Sequence, residues 1–173
     1  EELLKRLKNK GCKLNSDDVS LLQEELGLYG HVISSKGRKP DSQKVAAIKQ
    51  MPQPKSKEEV HRFLGMVNYL AKFIPHLSTK TEELRQIIHK EGTFEMPWDK
   101  DVHNQKFEEL KNAISADALL RYIELNKPIV IEADSSCFGL GAALSQEGRP
   151  LYYASRVLTP TERKYAQIEK ELL

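Results

Sequence analysis

Cysteine is scarce in this 173-residue sequence: only Cys12 and Cys137 occur. They stand far apart with no Cys-x-x-Cys or Cys/His ligand spacing, which argues against a disulfide scaffold or a zinc module and fits a reducing, intracellular setting, cytoplasm or nucleus. Long hydrophobic runs are also missing. No stretch approaches the roughly 20 apolar residues that cross a bilayer, and Glu1-Glu2-Leu3-Leu4 lacks the organisation of a signal peptide, so a soluble chain with no membrane partner is expected. An excess of one charge is lacking too. With 27 Lys and Arg against 25 Asp and Glu the net charge is +2, so any basic surface for a nucleic acid must be local. Internal repeats and low-complexity linkers are absent. There is no initiating Met, and Ile168-Glu169-Lys170-Glu171-Leu172-Leu173 ends without a Gly, Asn or Pro stop signal, so an internal piece of a longer protein is expected. The oligomeric state is left open by the sequence.

What is present is enough apolar residue, 39%, for a packed core. Leu3 to Leu7 reads as helical. Leu28-Tyr29-Gly30-His31-Val32-Ile33 is rich in strand formers, and Ser34-Ser35-Lys36-Gly37 supplies a turn, together predicting a hairpin. Pro40-Asp41 opens a short helix over 42–50 with Val45 and Ile48 on one face, broken by Met51-Pro52-Gln53-Pro54. Ser56-Lys57-Glu58-Glu59 is a capping box, and Val60, Phe63, Leu64, Val67, Leu70 and Ile74 recur at helical spacing until Pro75. Gly65 is read as permitting a close backbone approach. A second helix, 79–90, stops at Gly92, making a helical hairpin. Phe94, Met96 and Trp98 alternate before a third helix with Phe107, Leu110 and Ile114 inward; Trp98 suits a hydrophobic staple.

From Pro128 the period changes to that of strands: 129–134, 139–145 and 151–157, with short loops that predict an antiparallel meander. Thr159-Pro160-Thr161-Glu162 is a second capping box, opening a helix with Tyr165, Ile168 and Leu172 inward. The fold class is therefore α+β.

Asp134 ends an apolar strand, where a carboxylate at a sheet edge can face a cleft and hold a hard cation such as Mg²⁺; an Asp-Ser-Ser by itself is an ordinary turn start. Glu171 lies on the helix after the meander and could meet Asp134 across the sheet, although a Glu in Glu169-Lys170-Glu171 is commonly solvated helix surface. A phosphodiester-hydrolysing pair of ions about 4 Å apart needs several carboxylates, more than these two. Asp17-Asp18 has no apolar strand on either side and reads as a solvated turn rather than a polymerase metal pair. The histidines at 31, 61, 76, 89 and 103 show no metal-ligand pairing and read as surface or partner-contact residues.

The order of motifs resembles gypsy-type LTR retrotransposon polyproteins. The resemblance runs through Gly11-Cys12-Lys13-Leu14-Asn15, Tyr29-Gly30-His31-Val32-Ile33-Ser34, Phe63-Leu64-Gly65-Met66-Val67-Asn68-Tyr69, Lys72-Phe73-Ile74-Pro75, Phe107-Glu108-Glu109-Leu110-Lys111, Ala133-Asp134-Ser135-Ser136 and Glu169-Lys170-Glu171-Leu172-Leu173. It implies a division into the end of a reverse transcriptase palm with a primer-grip hairpin (1–40), a helical thumb (41–92), a connecting segment (93–127) and the N-terminal half of a ribonuclease H-like domain (128–173). It implies that Tyr29, Gly30 and His31 form the primer grip and that Asn68 and Lys72 touch the phosphate backbone of a primer-template. It also implies that Asp134 and Glu171 are catalytic ligands of a two-metal Mg²⁺ site acting on an RNA–DNA hybrid. The family completes that site with further acidic residues downstream, and its Tyr-x-Asp-Asp turn belongs upstream of Glu1. The sequence departs from the family in having Leu28-Tyr29-Gly30-His31 for Phe-Leu-Gly-His, Asp17-Asp18 for a Lys-Cys pair and Ala133-Asp134-Ser135-Ser136 for Thr-Asp-Ala-Ser. These departures leave the carboxylates in place and bear on the primer contacts. The competing reading is a retroelement-derived nucleic-acid or protein interaction module without turnover. The isolated 173-residue piece is expected to be inactive.

Overall fold

A computed structural model describes residues 1–15, 20, 22–89, 98–115 and 117–173. Asp17-Asp18, Gly92 and the Phe94/Met96 alternation lie outside the described residues. The fold is α+β, with two three-stranded antiparallel sheets, each in sequential order, and a helical layer between them in the chain.

Helix α1 (Glu2–Asn9) buries no residue, and its Arg6–Glu2 ion pair is solvated, so it adds little to stability. Strands β1 (Glu25–Leu28), β2 (His31–Ser34) and β3 (Gly37–Pro40) form two successive hairpins. The strand expected from Leu28 to Ile33 is interrupted, because Tyr29 and Gly30 have φ of 47° and 67° and form the first turn. Consecutive positive φ values match the right-handed twist of flanking strands, which is why such turns close two-residue hairpins.

Asp41 caps α2 (Ser42–Lys49) by accepting the Gln43 N–H at 2.8 Å, and Val45 and Ile48 are buried. Ser56 caps α3 (Lys57–Tyr69) by accepting from Glu59 N–H. The capping box is only half formed, since the Glu59 carboxylate accepts from Lys55 N–H at 2.7 Å instead of from the cap residue. Helix α3 also ends sooner than the apolar stripe: a single 3-10 turn spans Ala71–Phe73, and Ile74 is extended. A residue before proline is pushed out of the helical region, yet Leu70, Phe73 and Ile74 all remain buried. Gly65 makes no close approach: nothing lies within 4 Å of a Cβ added there.

Helices α4 (Leu77–His89) and α5 (Lys100–Ala113) complete the layer. Phe63, Leu84 and Leu110, all fully buried, anchor a core shared by α2, α3, α4 and α5 and by Leu120 beyond them. The Phe63 and Phe107 rings meet at 4.6 Å. Trp98 staples the start of α5 by packing on His103, with ring centroids 5.4 Å apart, while Asp99 accepts from Asp101 and Val102 N–H.

Strands β4 (Val130–Ser135), β5 (Gly139–Gln146) and β6 (Arg149–Val157) form the expected meander. One face of β5 lies flush against the start of α4. A Cβ at Gly139 would fall 2.5 Å from Ser78 Oγ, and one at Gly141 2.6 Å from His76 Nδ1, so only glycine admits this approach. Ser78 spans the joint, its N–H donating to Ser155 Oγ and its hydroxyl to the Leu140 carbonyl.

After β6 the Thr159/Glu162 box forms reciprocally, but it opens only a 3-10 turn, Glu162–Lys164. The chain extends at Tyr165 and Ala166 before α6 (Gln167–Glu171) begins. That break resets the helical phase. Tyr165, Ile168 and Leu172, expected inward, are exposed, Leu172 at 84%, and Lys170 is the buried residue of α6.

Candidate functional site

Two groups of the candidate residues come together. The first surrounds the β1–β2 turn. Tyr29 stands at its tip, 84% exposed, and its carbonyl accepts from the Tyr69 hydroxyl at the end of α3. Gly30 lies beneath the same ring, where an added Cβ would sit 3.1 Å from Tyr69 Cε1 and Oη. His31 stacks on the other part of that assembly, its ring 5.3 Å from Tyr69 and 7° from parallel, and it tilts against Phe73 at 5.6 Å. Lys72 Nζ lies 5.8 Å from the Phe73 ring. His31 is thus a half-buried, packed histidine, where its spacing suggested a surface or partner-contact residue.

The electrostatics of this group are set first by burial and then by clustered cations. Burial, then Lys72 and Arg38, hold the His31 imidazole below its ordinary value of 6.5. Burial and the neighbouring Arg38 guanidinium likewise lower Lys72. His31 and Ile33 pair with Pro40 and Arg38 across β2 and β3, so Arg38 shares the His31 face of the sheet. Asn68 is exposed on α3 just before Tyr69. Tyr69, Phe73 and Arg38 also belong to this group, and the sequence alone assigned them no role. An aromatic at 69, off the stripe of Val67 and Leu70, was the available signal for the first.

The second group lies on the meander. Asp134 and Glu171 line one cleft of about 370 Å³, together with Ala133, Leu140, Ala154 and Lys170. β4 is an edge strand, and both carboxylates are exposed. α6 is moored to β4 by Gln167, whose amide donates to Ser135 Oγ at 2.7 Å and Ser135 O at 3.0 Å and approaches Glu171 Oε1 at 3.4 Å. Gln167, which the sequence did not flag, joins α6 to the end of β4. Across the sheet Asp134 pairs with Gly141, the residue that meets His76. Asp134, His76 and Glu132 line a second, smaller hollow there. Among the described residues no group of three or more His, Cys, Asp or Glu side chains is placed to hold a metal ion, and Asp134 and Glu171 share the cleft as a pair. No helix of the described residues is long and apolar enough to cross a membrane.

This arrangement, a meander and helix bearing acidic residues behind a hairpin and helical layer, is that of reverse transcriptases with ribonuclease H-like domains. Residues 98–173 match the RNase H-like domain found in reverse transcriptase, so α5 lies inside the match. The chain is 34% identical over 168 residues to the retrovirus-related Pol polyprotein from transposon 297 of Drosophila melanogaster, covering 97% of this chain and 16% of that protein. It is 31% identical over 182 residues to the Pol polyprotein from transposon gypsy of the same organism, covering 100% and 18%. Similar identity, 31% over 178 residues, relates it to the transposon Tf2-3 polyprotein of Schizosaccharomyces pombe, of which it covers 13%. Among solved structures, the foamy viral protease-reverse transcriptase dRH in complex with double-stranded DNA superposes with a TM-score of 0.83 at 25% identity, covering 99% of this chain and 30% of that one. The foamy viral protease-reverse transcriptase in complex with RNA/DNA hybrid gives 0.77 at 26% identity, covering 90% and 21%. Over nearly its whole length the chain is similar to Pol polyproteins of gypsy and other LTR transposons, and it spans less than a fifth of the length of these curated relatives.

Proposed function

We propose that this chain is part of an enzyme that copies RNA into DNA and hydrolyses the RNA strand of RNA–DNA hybrids. In this reading 1–40 closes a polymerase palm, 41–92 is the thumb, 93–127 connects, and 128–173 begins the ribonuclease H-like domain. The observation that carries the nuclease half is the shared cleft of Asp134 and Glu171. Carboxylate oxygens are the donors that a hard cation such as Mg²⁺ prefers, so these two residues fit the ion in kind and supply part of its coordination. When bound, a pair of such ions activates water and stabilises the leaving oxygen in phosphodiester hydrolysis. Gln167 holds the α6 backbone against Ser135 and so keeps Glu171 beside the strand of Asp134.

The polymerase half rests on the β1–β2 turn. Tyr29 projects from it, and Lys72, lowered first by burial and then by the Arg38 guanidinium, stands with Arg38 as a pair of neighbouring positive charges. A phosphate beside them would relieve that repulsion, and contacts of this kind position a nucleic acid without reading its sequence. Asn68, exposed on the adjoining helix end, extends the same surface. Primer-template and RNA–DNA hybrid are the partners this reading requires.

The test is Asp134→Asn in the full polyprotein-derived enzyme, assayed on a labelled hybrid with Mg²⁺ and, in parallel, for primer extension. Hybrid cleavage is expected to be lost while extension persists. Cleavage at the wild-type rate would remove Asp134 from the site. A wild-type enzyme with neither activity would leave a retroelement-derived interaction module as the better account.

A further inference from the structure

Glu82 is a carboxylate in the wrong place for a helix that simply packs: it lies on α4 with only 3% of its surface exposed. A buried charge is costly unless paired and hydrogen-bonded. Its partner is Arg163, whose Nη2 approaches Glu82 Oε1 at 3.1 Å, and Gln86 approaches the same oxygen at 3.5 Å. Arg163 comes from the segment between β6 and α6. It also donates from Nε to the Leu158 carbonyl at 3.2 Å and places its guanidinium 5.7 Å from the Phe138 ring centroid.

Phe138 belongs to the loop that carries the chain from Asp134's strand into β5. The same loop is held a second time from α4: Thr79 Oγ1 and Ser136 Oγ share a hydrogen bond at 3.1 Å. Thr79 and Glu82 are three residues apart and so lie on one helix face. Within the loop, Ser136 N–H donates to the Gly139 carbonyl at 2.9 Å, and Gly139 N–H donates to Ser136 Oγ at 3.0 Å. Among the described residues β4 is an edge strand, paired on one side only, so its C-terminal end is located by β5, by this loop and by the Gln167 contacts to Ser135.

We infer that the Glu82–Arg163 pair is a positioning device for the Asp134 carboxylate, through which α4 sets where the nuclease ligand stands. The inference rests on the nuclease reading above. An arginine is suited to the task because its rigid planar fork engages Glu82 and Leu158 in one geometry while its face lies over an aromatic ring. An aliphatic pair of the same volume fills the space without fixing the loop. The arrangement also makes α4 part of the scaffold of the ribonuclease H-like sheet, although α4 precedes the residues that match that domain.

The experiment compares E82Q, R163Q and the double variant in the full enzyme. Amide exchange at Ser136 and Gly139 is measured without metal, and hybrid cleavage is followed as Mg²⁺ is titrated. Both single variants are expected to exchange faster at these amides and to need about tenfold more Mg²⁺ for half-maximal cleavage, the lower end of what removing an outer partner of a metal ligand costs. Primer extension is expected to stay at the wild-type rate, and the double variant to be no worse than either single one. Wild-type exchange and a wild-type Mg²⁺ midpoint in R163Q would overturn the inference. Should E82Q lose primer extension as well, R163Q, whose side chain is 37% exposed, decides alone. Failure of the wild-type enzyme to cleave hybrid would count against the nuclease reading, while the exchange result would still judge the contact.

Discussion

The same substitution, Gly to Ala, has opposite consequences at two places in this chain. At Gly30 the backbone has φ +67°, a conformation that costs an L-residue about 1–2 kcal/mol. The new Cβ would also meet the Tyr69 ring at 3.1 Å. Tyr69 must then give by a few tenths of an ångström, weakening its hydrogen bond to the Tyr29 carbonyl, a cost of up to about 1 kcal/mol net. Its stacking on His31 is weakened by about 0.5–1.5 kcal/mol more. These effects combine to a destabilisation of about 3 kcal/mol. At Gly65, inside α3, nothing lies within 4 Å of the added methyl, so helix propensity alone acts and Ala stabilises by about 0.5–1 kcal/mol. Urea unfolding followed by circular dichroism reads both. With a slope of about 2 kcal/mol per molar, Gly30→Ala should lower the midpoint by about 1.5 M and Gly65→Ala should raise it slightly. A Gly30→Ala midpoint equal to wild type would refute the packing argument for Tyr69, and a Gly65→Ala loss of similar size would refute the open-space reading of Gly65.

Phe63→Ala, at a site with 0% exposure against Phe107, should destabilise by about 3–5 kcal/mol, seen as a lower urea midpoint. For His31 the folded value lies below the ordinary 6.5, so as pH falls below 6.5 the unfolded chain takes up a proton that the folded chain refuses. Stability is therefore expected to drop as pH falls through and below that value, and His31→Gln should flatten the slope; an unchanged slope would sink the assignment. Glu162 is held down to about 2 by the Arg156 fork and by the Thr159 N–H. A carbon-detected NMR titration should find it there, and Arg156→Gln should move it back toward 4.5.

Much of the fold was legible because it depends on local periodicity. The stripe from Val60 to Leu70 and the run of strands after Pro128 each state their own period, and the register of β4, β5 and β6 follows from short loops. The errors fall where a neighbour in space decides. Tyr29-Gly30 reads as strand by composition, but the hairpin needs its turn there. Glu59 fits a capping box, yet Lys55 offers the better-placed N–H. Ile168 and Leu172 suggest an inward face, but the break at Tyr165-Ala166 rotates Lys170 inward instead. The candidate site was legible only in part for the same reason. Asp134 and Glu171 stand out by motif, whereas Gln167, Tyr69, Arg38 and Glu82 acquire meaning only from what touches them.

Sequence alone determined that a carboxylate closes the strand ending near Asp134, that another lies in the last helical stretch, and that a hairpin and helical layer precede them. These are properties of residue order and of short-range backbone preference. Which helix face meets the β5 glycines, that Tyr69 reaches back to the Tyr29 carbonyl, and that a buried Glu82 waits for Arg163 were decided by the tertiary structure. Each depends on groups from 40 to 81 residues apart being brought into contact, and no local rule anticipates which ones meet.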